Sequence, residues 1–340
     1  MSSNTEQILL WLDCDPGHDD ALAIILAAFN SHVKFLGIST ASGNQTAAKT
    51  TANAISILES IGKKHDIPVV MGASKPLLRK RQNSPEIHGE SGLDGTSLLP
   101  KCDKVLYAKA QERKAIDVMA QTILAQDRKV VLVATGAMTN IALLVSVYPE
   151  VVEKVEMFTF MGGASFGPGN VSATAEFNIY IDPEAAQICM QAGFQHVAMI
   201  PLDVTHTVLV TDNIIDRIRR EVGEKNKTFA QMICELMVFF RDTYERVFDF
   251  HDGPPLHDPL AVFYAITHKQ NKLAFKEKLM RVDVECGNGL CVGQTVCDIW
   301  GNSSTEEKNC YVTLSVDVDK FWDSMIEALV SGGASSPLDS

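Results

Sequence analysis

Tryptophan is scarce, with 3 in 340 residues, and lysine and arginine together number only 30 against 42 aspartate and glutamate. The formal net charge of -12 leaves no basic field to neutralise a row of phosphates, which argues against nucleic acid and anionic membrane as partners. Long apolar runs are also missing. The longest, Ala21 to Phe29, is about half of the roughly 20 residues that cross a bilayer. None of the 8 cysteines stands in a C-x-x-C arrangement, a pattern of reduced thiols rather than of a disulfide or zinc framework. The first residues, Met1 to Gln7, are polar without a basic n-region, and the apolar run Ile8–Leu12 stops at Asp13. No signal peptide is visible, and the expected location is cytoplasmic. Neither G-x-x-x-x-G-K-[ST] nor a G-x-G-x-x-G after a strand occurs, so a P-loop, a dinucleotide site and a redox cofactor are not expected.

What is present is 46% hydrophobic residues, ample for a large core, arranged as β-branched runs alternating with helix-period segments. That alternation predicts an α/β fold: an open, mostly parallel, Rossmann-like sheet flanked by helices. Strands are expected at 8–12, 33–40, 68–72, 130–135, 155–161 and 196–202, with a long loop at 75–101. The runs 280–286, 292–299 and 312–316 predict a C-terminal antiparallel meander. With no repeat and no Pro/Ser-rich linker, residues 1–331 read as a single domain and 332–340 as a frayed tail.

The chemistry concentrates just after the first strand. Asp13-Cys14-Asp15-Pro16-Gly17-His18-Asp19-Asp20 places four carboxylates in one strand-to-helix turn. A helix N-cap accounts for Asp19 or Asp20 but not for Asp13 and Asp15 at the end of a buried strand. A hard cation resolves the repulsion, and the absence of interleaved Cys or His disfavours zinc. The turn lies where open parallel sheets bind ligands. Asn44, Thr135 and Gly162–Gly163 follow other strands, while Glu176-Phe177-Asn178 and His257-Asp258-Pro259 add further polar groups.

Taken in order, the acidic cluster, Gly43-Asn44, Thr135-Gly136, Met161-Gly162-Gly163, Ala175-Glu176-Phe177-Asn178 with Asp182-Pro183-Glu184-Ala185-Ala186, and His257-Asp258-Pro259 resemble the inosine-uridine preferring nucleoside hydrolase family. The loop Ser91-Gly92-Leu93-Asp94-Gly95-Thr96-Ser97 and Gly253-Pro254-Pro255 look most like its uridine nucleosidases, or uridine ribohydrolases. The resemblance implies the nucleoside hydrolase fold and hydrolysis of the N-glycosidic bond of ribonucleosides, uridine and other nucleosides such as inosine, to free base and ribose. It implies a Ca²⁺ held by Asp15, Asp20, Asp258 and the carbonyl of Thr135, with Asp15 as the general base that takes a proton from a water on the metal. Asp19, Asn44, Met161, Glu176 and Asn178 match ribose-binding positions, with Asn170 near the 5′ end, and Asp13 an orienting position. His257 and His88 match histidines that flank the base, His257 being the candidate leaving-group acid, and Tyr244 is a candidate for the base pocket. A homodimer or homotetramer in nucleoside salvage or catabolism is implied as well.

Two other readings compete. A haloacid-dehalogenase-type phosphatase also opens on a strand ending in Asp-x-Asp, but His18-Asp19-Asp20 would put negative charge where its phosphate must sit. A calcium- or nucleoside-binding module would keep the acidic cluster without needing Asp15 free to accept a proton.

Overall fold

The computed structural model describes residues 7–270, 274–302 and 307–339. Its frame is an eight-stranded sheet built from β1 (Ile8–Cys14), β2 (Val33–Thr40), β3 (Val69–Met71), β4 (Val130–Ala134), β5 (Val155–Met161), β6 (Val197–Ile200), β7 (Phe275–Met280) and β10 (Cys310–Val316). A separate two-stranded sheet pairs β8 (Val282–Val284) with β9 (Thr295–Cys297). The order across the large sheet is β3-β2-β1-β4-β5-β6-β10-β7. Neighbours run parallel from β3 to β10, and only β7 is antiparallel, to β10.

Alternation along β1 divides the core in two. Leu10, Leu12 and Cys14 pack into the layer with the helices His18–Phe29, Lys227–Phe248, Pro259–Lys269 and Val318–Ser335. Leu9 and Trp11 face the other layer, with Ala115–Leu124, Thr139–Val147 and Pro183–Gln191. Because all seven residues of β1 are buried, the strand reads as a continuous apolar run, as expected of a central parallel strand covered on both faces.

The chain winds outward from β1 through β2 to β3, then returns to the other side of β1 as β4. This reversal opens a crevice at the carboxyl ends of β1 and β4, the usual ligand position in an open α/β sheet. The acidic cluster and Thr135 therefore meet there by topology.

The expected fold class holds, with corrections near the C-terminus. The three runs expected to form a meander are split: 312–316 belongs to β10, inserted parallel to β6, while only parts of the other two pair with each other. Phe275–Met280, with the consecutive polar residues Lys276, Glu277 and Lys278 between apolar ends, supplies the antiparallel edge strand instead. The tail expected to fray from Gly332 continues the last helix to Ser335, with Gly332 and Gly333 buried against Phe229. Asp339 then accepts hydrogen bonds from the Lys227 and Thr228 N–H groups at the start of another helix. Residues 1–6 and Ser340 lie outside the described part, as does any test there of the expected leader-free start. No described helix is long and apolar enough to cross a membrane.

Candidate active site

At the crevice a cavity of about 300 Å³ is bounded by two unlike walls. One is polar and gathers Asp19, Asn44, Thr135, Asn170, Glu176, Asn178 and Asp258, with Met161. The other carries Ile87, His88, Phe240, Tyr244, Phe248 and His257. Eleven of the residues singled out in the sequence thus line one cavity, while Asp15 and Asp20 lie wholly buried beneath it.

Asp15 leaves β1 between two glycines. A Cβ on Gly43 would stand 1.9 Å from Asp15 Oδ2, and one on Gly136 would stand 2.4 Å from Oδ1, so neither position has room for a side chain. The Asn44 N–H donates to Oδ2 at 2.6 Å, whereas the buried Oδ1 has no hydrogen-bond partner. Asp20 is better satisfied: its carboxylate accepts from the Gly17 N–H (2.9 Å), Asn44 Nδ2 (3.2 Å) and the Thr135 hydroxyl (2.9 Å). Oxygens of Asp19, Asp20 and Asp258 lie within 4.8 Å of one another. Burial first, and then the neighbouring carboxylates, push the acids of Asp15 and Asp258 well above the usual carboxylate range, and that of Asp19 to about 7. Among the described residues no lysine or arginine lines the cavity to offset this charge.

Asp13 has a different task. Facing the layer of Trp11, its Oδ1 accepts from the Ser39 hydroxyl and from Asn140 Nδ2 at 2.8 Å. Asn140 also bonds the Thr40 carbonyl and the Ala73 N–H, so Asp13 ties β1 to β2 and to the segment after β3. It does not line the cavity. Burial raises its pKa to about 7 despite those two bonds.

Glu176 caps the short helix Phe177–Ile181, accepting from the N–H groups of Asn178 (2.8 Å) and Ile179 (3.2 Å), and reaches Gly163 N–H at 3.0 Å. Burial outweighs these bonds and raises its acid to about 7. Asn178 Nδ2 donates to the Thr135 carbonyl at 3.0 Å, fixing the oxygen expected to face a metal. Asn170 Oδ1 accepts from Phe177 N–H at 2.9 Å, which anchors the glycine-rich loop over the polar wall.

On the opposite wall both nitrogens of His257 are engaged: Nδ1 with the Thr205 hydroxyl at 2.8 Å and Nε2 with the Tyr244 hydroxyl at 2.7 Å. Burial pushes its pKa well below 6.5. Tyr244 is itself buried, and the phenol is pushed up by burial and by the carboxylates opposite. Phe240 and Phe248 extend the wall. Their i, i+4, i+8 spacing with Tyr244 on one helix face is a signal legible in the sequence, yet only Tyr244 was singled out. His18, behind His88, lies within the acidic turn, whereas Thr205 carries no motif that points to it.

The family model described as inosine-uridine preferring nucleoside hydrolase matches residues 10–323. A probable ribonucleoside hydrolase of Dictyostelium discoideum is 44% identical over 336 residues, covering 96% of this chain and 95% of that protein. The uridine nucleosidase of Saccharomyces cerevisiae is 35% identical, covering 95% and 96%. Among solved structures, the purine-preferring ribonucleoside hydrolase from Gardnerella vaginalis superimposes with a TM-score of 0.85 at 28% identity, covering 96% of this chain and 99% of that one. Nothing in these similarities favours a phosphatase. By sequence over nearly its whole length and by the fold around the acidic crevice, the chain belongs to the inosine-uridine preferring nucleoside hydrolase family.

Proposed function

We propose that the protein cleaves the N-glycosidic bond of ribonucleosides, uridine foremost, with the ribose on the polar wall and the base against the aromatic one. The observation that carries this reading is the pairing of a carboxylate-and-amide wall, suited to hydroxyl groups, with a flat aromatic and imidazole wall across a single cavity. A phosphate ester fits poorly beside carboxylates with no cationic side chain in the cavity lining.

The four buried carboxylates of Asp15, Asp19, Asp20 and Asp258, all-oxygen donors, and the orphaned Asp15 Oδ1 fit a hard divalent cation, and Ca²⁺ is the one we assign. Asp15, Asp20, Asp258 and the Thr135 carbonyl would hold it, with Asp19 close by. Bound there, the cation supplies positive charge and Lewis acidity to the crevice. Asp15 accepts the proton of the attacking water at Oδ1, while the Asn44 N–H holds Oδ2 and fixes the carboxylate plane. Asp19, Asn44, Glu176 and Asn178 bind the ribose hydroxyls, and Asn170 bounds the 5′ end. The Met161 backbone completes this wall.

As the bond breaks, negative charge develops on the base and positive charge on the ribosyl group. To act as the leaving-group acid, His257 must first take up a proton from solvent; its Nε2 hydrogen would then pass to the Tyr244 hydroxyl as that hydroxyl gives its own to the base, leaving neutral imidazole. The homodimer or homotetramer and the role in nucleoside salvage or catabolism rest on the family resemblance.

Ribose release from a nucleoside panel tests the reading. Asp15→Asn is expected to fold and to lower turnover by about 10² to 10⁴, the usual share of general-base catalysis. Near-wild-type turnover in that variant, or release of inorganic phosphate from phosphate esters instead of ribose from nucleosides, overturns it.

A further inference from the structure

The glycine-rich loop Ala164–Ala175 brings Asn170 and Val171 to the cavity, and it stands on two feet. At the far one the Ala175 carbonyl accepts from the N–H groups of Asn170 (3.1 Å) and Val171 (3.2 Å). At the near one a single side chain holds three residues. Asp203 Oδ2 accepts from the Ser165 N–H (2.7 Å) and hydroxyl (3.0 Å), and Oδ1 from the N–H groups of Phe166 (2.9 Å) and Gly167 (2.7 Å). No other acceptor is described for the Phe166 and Gly167 N–H groups. Phe166, Gly167 and Pro168 are exposed, so burial contributes little to fixing them.

The amide of Asn170 has a defined sense. Its Oδ1 takes the Phe177 N–H at 2.9 Å, and a backbone N–H can only donate, so the accepting atom is the oxygen. Nδ2 is then the other end of the amide, and no described hydrogen bond uses it. In a side chain that lines the cavity, this is an N–H donor left for a substrate.

Asp203 itself does not line the cavity. It belongs to the short helix Leu202–Thr205, whose last residue bonds His257. Without the carboxylate, residues 165–167 lose the acceptor that three backbone N–H groups share, and the loop would pivot on Ala175, carrying Pro168, Gly169 and Asn170 with it.

We propose that Asp203 is a positioning residue: by holding residues 165–167 it sets Asn170 Nδ2 where an acceptor on the ribose 5′ carbon meets it, so that the preference for a 5′-hydroxyl depends on a carboxylate that touches no substrate. The inference rests on the nucleoside hydrolase reading and adds to it what fixes the 5′ side of the site.

In the Ca²⁺-supplemented full-length protein, uracil release from uridine and from 5′-deoxyuridine is compared, the leaving group being the same in both. The kcat/KM for uridine is expected to exceed that for 5′-deoxyuridine by roughly 10 to 10², the penalty for an unpaired donor in a site built to bond it. Asp203→Ala should bring the ratio to within about threefold by lowering the uridine value alone, and the isosteric Asp203→Asn, with one accepting oxygen for four donors, should fall between. In an Asn170→Ala background, Asp203→Ala should change kcat/KM for uridine by no more than about twofold, because the two residues act through one contact. Amide exchange followed by ¹H–¹⁵N spectra of the wild-type protein should show Phe166 and Gly167 slowed by about 10² or more relative to the free chain, although both are exposed. Unslowed amides at these two residues overturn the inference whether or not any variant folds. So does an unchanged ratio in the Asp203 variants, and so do equal losses on the two substrates, which would assign Asp203 to supporting the helix that holds Thr205 against His257. A wild-type protein that turns over both ribosides equally well removes this inference alone. If neither riboside releases uracil, the hydrolase reading falls and carries the inference with it.

Discussion

Glycine at 43 and 136 is a requirement set by one neighbouring side chain. Both close on Asp15, and a methyl group at either site would displace the carboxylate rather than a flexible surface group. Gly136→Ala is therefore expected to leave β4 and its pairing with β1 intact while shifting Asp15 by a fraction of an ångström to an ångström. A misplacement of about 1 Å near reacting atoms costs on the order of 10²-fold, so steady-state kinetics should show kcat reduced by about that factor. A variant with unchanged kcat would mean that Asp15 has slack at its position. Asp13 offers a contrast at the same scale: two residues earlier and still within β1, it faces the layer of Trp11 and its Oδ1 bonds only Ser39 and Asn140.

At the scale of elements, the helix Lys227–Phe248 unites core and site. Phe229, Met232, Ile233 and Leu236 pack into the core, while Phe240 and Tyr244, two turns further on, form a small cluster with Ile87 from the loop after β3. Much of the aromatic wall is thus held by this helix, and the Tyr244–His257–Thr205 chain links it to the start of Pro259–Lys269. If that chain delivers the proton to the base, Tyr244→Phe and His257→Ala should each depress kcat on uridine by about 10²-fold or more. On p-nitrophenyl riboside, whose leaving group needs no proton, the losses should be much smaller. Similar losses on both substrates would assign the chain to holding Asp258 in place.

For the whole molecule the dominant electrostatic fact is a set of carboxylates inside a protein that already carries a net charge of -12. Burial raises the acids of Asp13, Asp19 and Glu176 to about 7, above their ordinary values of 3.8 and 4.5. A group whose folded pKa is raised stabilises fully below its unfolded pKa, and that contribution is lost as pH climbs through the folded one. The metal-stripped protein should therefore lose thermal stability between about pH 4 and pH 7 and beyond. Added Ca²⁺ should restore it, most strongly at the upper end, where the ionised carboxylates need a counter-charge. Melting temperatures across pH with chelator and with Ca²⁺ check this; a stripped protein that gains stability toward neutral pH would contradict it.

Much of this was legible in the chain itself. Parallel strands show as short runs rich in apolar and β-branched residues, here interrupted near their starts by Lys34 and Glu156, and the expected boundaries 33–40 and 155–161 are the observed ones. Clustered carboxylates are equally visible, because nothing in an apolar neighbourhood explains four of them in one turn. The C-terminal region was misread for a physical reason: β8 and β9 are three residues each, and alternation over so short a length does not say which sheet a strand joins. Gly332 and Gly333 suggested fraying by their low helix propensity, but close packing against Phe229 overrides it.

Local sequence determined the fold class, the acidic turn and the residue types available for catalysis, because these depend on hydrophobic period and on charge within a few residues. Only the tertiary structure decided how those residues are paired. It put Asp13 and Asp15 to different uses, joined Thr205, His257 and Tyr244 into one chain, and set His18 between the Asp94 carbonyl and His88. Such contacts span 13 to 76 positions of sequence and follow from the reversal of strand order beside β1, which no local pattern encodes.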